Sequence, residues 1–244
     1  ILGNEVLDAL PVERFCISSA GPRRLNVVWS EIGLDWAEGA EDPEVTAAVR
    51  RIEAELGGRL PEGYISEYLP QLEAWLRAIA EPLAAGALLL VDYGYPRREY
   101  YHPERAAGTL LCHYRHRVHD DPLILPGLQD ITASVDFTAV ADAALAAGLD
   151  IAGYASQNYF LFGCGLMDLL ADEIPPDLPL EKGGGETGGI LKSADSTRYL
   201  EQVRQVKLLT LPGEMGDRFH ALALTRNLDL PLRGFAVRDE RGRL

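Results

Sequence analysis

An α/β fold built on a parallel sheet is what the sequence predicts, and three observations predict it. Strand-like and helix-like segments alternate through most of the chain. Ala87–Val91 is an unbroken apolar run of the kind found in strands buried on both faces of a parallel sheet. That run leads into Asp92-Tyr93-Gly94-Tyr95-Pro96, read as a polar turn at the C-terminal edge of the strand, where open α/β sheets bind ligands.

The remaining elements follow in chain order. Ile1-Leu2-Gly3-Asn4-Glu5 reads as the end of an apolar strand entering a polar turn. Termini are usually exposed and polar, so further residues are expected upstream. Pro11–Ser18 and Leu25–Ile32, on either side of Ala20-Gly21-Pro22, predict a hairpin inserted into the α/β scheme. A polar loop with Gly33, Gly39 and Asp42 is expected next. Asp42-Pro43-Glu44 supplies an N-cap, a proline at the first helical position and a first-turn acid, for a helix that stops at Gly57-Gly58. Ser66 is expected to cap a second helix carrying Leu69, Leu72, Leu76, Ile79 and Leu83, with Trp75 beside them and Gly86 at its end. Tyr100–His119 reads as irregular. Ile131–Val135 predicts a short strand, and Asp136 a cap for a helix on Phe137, Val140, Ala141, Ala144 and Leu145, closed by Gly148. Leu149–Ala155 predicts a strand, and Gln157–Leu170 a helix weakened by Gly163 and Gly165. Pro175–Gly189 reads as a loop; it lacks the Gly-Lys-Ser/Thr of a phosphate-binding loop. A helix over about Asp195–Val206, a strand at Phe219–Thr225 and a charged tail at Arg238–Leu244 complete the chain. Residues 1–226 are expected to form the principal domain, with an insertion over about 12–60 and a tail over 227–244.

Bulk composition excludes some functions. With 244 residues, 47% of them hydrophobic, the chain can bury a real core. No apolar run approaches the roughly 20 residues of a membrane span, and no basic start precedes Glu5 and Asp8 as in a secretory signal. The formal charge of −14 argues against nucleic acid and suits basic protein segments, though solubility alone accounts for it. Cys16, Cys112 and Cys164 form no CxxC pair, which argues for a reducing compartment and against a zinc ribbon.

The candidate chemistry sits at strand ends. Asn4-Glu5-Val6-Leu7-Asp8-Ala9-Leu10-Pro11 follows the first strand. If a helical turn begins there, Glu5 and Asp8 share one face and can hydrogen-bond a cationic substrate; on spacing alone, capping of a following helix is the stronger reading. Asp92 and Tyr93 either line a neighbouring pocket or form an ordinary turn. Gln129-Asp130-Ile131-Thr132 with Asp136 makes a third polar group, and Gln157 follows a strand that can close the same cleft. His113, His116 and His119 are interleaved with Arg115 and Arg117, which disfavours a metal. Cys164 has no neighbouring His or Asp and is not read as a nucleophile. No GxSxG elbow supports a hydrolase.

Five strings in order, NEVLDALPV, LLLVDYGYP, GLQDITASVDF, Gln157–Leu161 and LPGEMGDRF, resemble the MidA-like family of complex I assembly-factor methyltransferases and their bacterial homologues. The resemblance runs from about residue 1 to about residue 226. It implies a class I, Rossmann-like methyltransferase sheet from about strand four to strand seven, with an inserted region. It implies S-adenosyl-L-methionine as methyl donor and a protein substrate; for mitochondrial members the substrate is an arginine of a respiratory complex I subunit. Asn4 and Glu5 are then expected at the cofactor, Glu5, Asp8 and Asp92 in catalysis, and Tyr93, Tyr95, Asp130 and Gln157 at the substrate. The bacterial cytoplasm or the mitochondrial matrix is the implied location. The glycine loop after the first strand of such folds is missing, so this chain is expected to bind the cofactor weakly by itself. A non-catalytic binding module on the same fold is the alternative.

Overall fold

The computed structural model describes residues 1–115, 117–173 and 193–244. It divides into two compact units. The first comprises Ile1–Ala152, Leu222–Leu228 and Gly242–Leu244; the second comprises Gly153–Ala221 and Asp229–Arg241.

In the first unit the chain opens with β1 (Leu2–Asn4). An antiparallel region follows, with β2 (Glu13–Ser18), β3 (Gly21–Ser30) and β4 (Gly33–Glu38). Next come α1 (Pro43–Leu56), β5 (Ile65–Tyr68), α2 (Leu72–Ala80) and β6 (Gly86–Tyr95). A short α3 (Arg97–Tyr100) leads to β7 (Leu111–Tyr114), β8 (Arg117–His119), β9 (Asp130–Thr132), β10 (Val135–Asp136) and α4 (Phe137–Ala146). The unit boundary falls within β11 (Asp150–Ser156) and, later, within β12 (Phe219–Arg226). The second unit holds α5 (Gln157–Cys164), α6 (Leu166–Glu173), α7 (Ser193–Thr210) and α8 (Met215–Arg218).

The central sheet has the order β1-β6-β12-β11, with β10 paired to β6 as well. β1 runs parallel to β6, Asn4 opposite Val91, and β10 runs parallel to β6 beyond it, Val135 opposite Gly94. A Cβ at Gly94 would overlap the Val135 backbone, so only glycine allows this approach. Two antiparallel sheets accompany it, β4-β3-β2-β5 and β8-β7-β9. Phe15 and Ile17 of β2 pack on Val45, Val49 and Ile52 of α1, with Tyr64, Tyr100 and Tyr101 completing that core.

Several sequence readings are corrected. β6 does not end at Val91; it continues through Tyr95, and Leu88, Leu90, Asp92 and Gly94 alternate onto its buried face. The polar stretch after Ile32 is a strand rather than a loop, pairing Val27 with Trp36 and Trp29 with Leu34. Ser66 caps no helix: it is buried in β5, and α2 begins at Leu72 and ends at Ala80, short of Leu83. Tyr100–His119 contains β7 and β8. The end of the chain is tied in: Asp239 accepts the Tyr154 amide at 3.3 Å, and Glu240 is buried. Other readings stand. The Asp42 carboxylate accepts Glu44 and Val45 N–H, and Gly57 ends α1 in the left-handed conformation. Asp136 caps α4 through the Ala139 amide. The predicted Pro175–Gly189 loop and His116 lie outside the described residues.

Candidate active site

Within the first unit, the residues after β1 form a turn rather than a helix. Its geometry is imposed by Asp92. One carboxylate oxygen, Oδ2, accepts the amides of Val6 (3.1 Å), Leu7 (2.9 Å) and Asp8 (3.3 Å). The other, Oδ1, accepts the Tyr93 amide at 3.0 Å. Asp92 is buried, and burial first and then the Asp8 charge push its pKa up to about 7, against the pull of these amides. Asp92 is therefore the brace of the turn, a role reached by no reading of its position as a surface turn.

The braced turn buries Leu7 and Asp8 and leaves Glu5 exposed. Glu5 adopts φ 50, a left-handed conformation uncommon for a residue with a side chain. The shared face expected for Glu5 and Asp8 is thus not formed, because the turn is not helical. Asn4 and Glu5 stand together instead at the C-terminal end of β1, where Asn4 Nδ2 donates to Glu5 Oε1 at 3.3 Å. Asp8 is 6% exposed, and its Oδ1 has no hydrogen-bond partner. Tyr93 donates to Thr132 Oγ1, and burial raises its phenol, with the nearby Asp8 charge and hydrogen bond adding to the rise.

Asp8 and Thr132 line a cleft of about 400 Å³ with Leu10, Arg14, Leu25, Val27, Trp36 and Ile131 among its walls. Arg14 lies over the Trp36 ring at 4.8 Å and pairs with the buried Glu67 at 3.3 Å. Burial raises Glu67, although Thr109 N donates to it and Arg14 attends it.

Two other expected residues of the first unit, Tyr95 and Asp130, do not join this group. Tyr95 has its ring face taken by the guanidinium of Arg105, 3.7 Å from the ring centroid. Asp130 is exposed on β9. Gln157 is buried in the second unit, where its Nε2 donates to the Leu209 carbonyl at 3.1 Å. His113 pairs with Val118 and His119 with Cys112, so the two histidines fall on opposite faces of their ribbon. Among the described residues no group of three or more His, Cys, Asp or Glu can hold a metal ion, and no helix is long and apolar enough to cross a membrane. Trp36, Val27 and Arg14 were not anticipated as cleft residues. Their signal was available in the alternation Leu25-Val27-Trp29 and Leu34-Trp36, which marks one apolar ribbon face.

A mixed central sheet with β1 and β10 parallel to β6, a polar turn at the end of β1 and a buried acid beneath that turn fits a class I methyltransferase fold. The crystal structure of a Burkholderia thailandensis protein bound to S-adenosyl-homocysteine superposes with a TM-score of 0.85 at 37% identity, covering 100% of this chain and 57% of that one. Residues 1–155 match the family described as "Putative S-adenosyl-L-methionine-dependent methyltransferase", and the chain belongs to that family. Similar curated proteins are the mitochondrial protein arginine methyltransferase NDUFAF7 of Rattus norvegicus, 27% identical over 91% of this chain and 45% of that protein, and its Drosophila melanogaster homologue, 27% identical over 92% and 46%. The chain thus spans about half the length of the curated relatives it matches.

Proposed function

We propose that this chain carries the acceptor side of an S-adenosylmethionine-dependent protein methyltransferase whose acceptor is an arginine side chain. The observation that supports it most is the Asp8 carboxylate: buried in the cleft, held by a turn braced on Asp92, with one oxygen unpartnered. A guanidinium is the side chain best matched to such an oxygen, because its planar array of N–H donors stays charged at any physiological pH. The names of the mitochondrial relatives support the same acceptor.

Asn4 and Glu5 suit the amino-acid end of the cofactor, an amide donor and a carboxylate exposed at a parallel-strand terminus. When bound, the cofactor supplies an electrophilic methyl group. The chain's own part is positional. Asp8 would take an N–H of the guanidinium and draw positive charge toward that nitrogen, leaving another nitrogen free to serve as the nucleophile. Tyr93 and the Asp92 brace fix the Asp8 carboxylate. Glu5 is the second carboxylate available to the acceptor, on the exposed side. Complex I subunits in mitochondria, or a bacterial counterpart, are the substrates this reading favours, with the bacterial cytoplasm or the mitochondrial matrix as compartment.

The test uses the protein extended to the length of its relatives, tritiated cofactor and arginine-bearing peptides. Acid hydrolysis should release label as methylarginine. Label recovered on another residue type, or retained by none, would reject the arginine reading.

A further inference from the structure

The wall that β3 and β4 give the cleft continues past the cleft itself. Residues facing each other across an antiparallel pair share a face, so β3 and β4 place Leu25, Val27 and Trp29 beside Glu38, Trp36 and Leu34. Leu25, Val27 and Trp36 line the cleft that Asp8 closes. The same face then runs outward to Trp29, 81% exposed, with Ile32 at the tip 93% exposed. A large aromatic left in water on a contiguous apolar face marks a contact surface.

Its charge surroundings suit a cationic visitor. Asp8 Oδ1 is buried without a partner, and Arg14, the cation at the cleft, is committed to Glu67. Trp36 already packs against one guanidinium, that of Arg14. The chain as a whole carries −14.

We propose that the β3–β4 ribbon is the arm that holds the substrate polypeptide, so that apolar residues flanking the acceptor lie along Val27, Trp29 and Trp36 while the cationic side chain reaches Asp8. The inference rests on the methyl-transfer reading only for the identity of that cation. It assigns this ribbon a selectivity: arginine beside leucine is preferred over arginine beside serine.

Titration calorimetry of the 244-residue chain with three acetylated peptides decides it: leucine-flanked arginine, serine-flanked arginine and leucine-flanked citrulline. The expected result is affinity for the first at least ~10-fold above the second, the worth of roughly one buried apolar side chain. Trp29→Ser, at an exposed position outside the cleft, should erase that preference and leave the serine-flanked affinity alone, with unchanged circular dichroism. Equal binding of the two arginine peptides, a preference that survives the Trp29 substitution, or binding of no peptide would overturn the proposal. Citrulline binding as tightly as arginine, with the leucine preference kept, would uphold the ribbon and remove the guanidinium reading instead.

Discussion

Asp92 and Asp8 are neighbouring buried carboxylates with different work. Asp92 spends its oxygens on four backbone amides, whereas Asp8, which lines the cleft, has one buried oxygen unpartnered. Because Asp92 sits near 7 in the folded chain against 3.8 otherwise, the folded state binds its proton more tightly. The stability this contributes is full below the lower value and is lost as pH rises through the upper one. Urea midpoints should therefore fall between about pH 4 and pH 7.5, and Asp92→Asn, which fixes the uncharged state, should flatten that fall; parallel curves for the two proteins would contradict it. Gly94→Ala should cost about 1–3 kcal/mol in the same assay, since its Cβ meets the Val135 backbone. The sequence made Asn4, Glu5, Asp8 and Asp92 legible as polar groups at strand ends. It did not reveal their division of labour, because that depends on a parallel pairing between residues some 85 positions apart, as in the Leu7–Asp92 hydrogen bond.

At the scale of elements, local chemistry was readable and long-range pairing was not. The Asp42 cap, Pro43, Gly57 and the Asp136 cap act within a few residues, and each falls where the sequence puts it. Ser66 looked like a cap because Ser precedes an apolar period. Its burial in β5 is decided by pairing with Phe15, which spacing within the helix cannot report. The ribbon strand Gly33–Glu38 was hidden by its glycine and acids, although its Trp and Leu alternate. Arg226, at the end of β12, shows what such distant contacts contribute. Its guanidinium donates to the carbonyls of Ala80 and Ala147, both at 2.6 Å, closing the ends of α2 and α4. Arg226→Ala should lower stability by about 1.5–3 kcal/mol, the range for hydrogen bonds to a charged group; an unchanged melting curve would show that water replaces it.

For the molecule as a whole, the fold class follows from the parallel strands, and the family from the match over residues 1–155. The curated relatives are about twice as long as the matched region. Class I folds hold the cofactor largely by a glycine loop, and the residues proposed for the cofactor in this chain are Asn4 and Glu5, at the end of β1. Calorimetric titration of the 244-residue chain with S-adenosylmethionine should give weak or no binding, and tight binding would mean that these residues suffice. The most direct test lies at Asp8. In the protein extended to its relatives' length, Asp8→Asn keeps the shape of the side chain and removes its charge. Methyl transfer to an arginine peptide should then fall at least ~100-fold in kcat, with circular dichroism unchanged. Transfer at the wild-type rate would remove Asp8 from the reaction, and with it the assignment of this cleft to the acceptor.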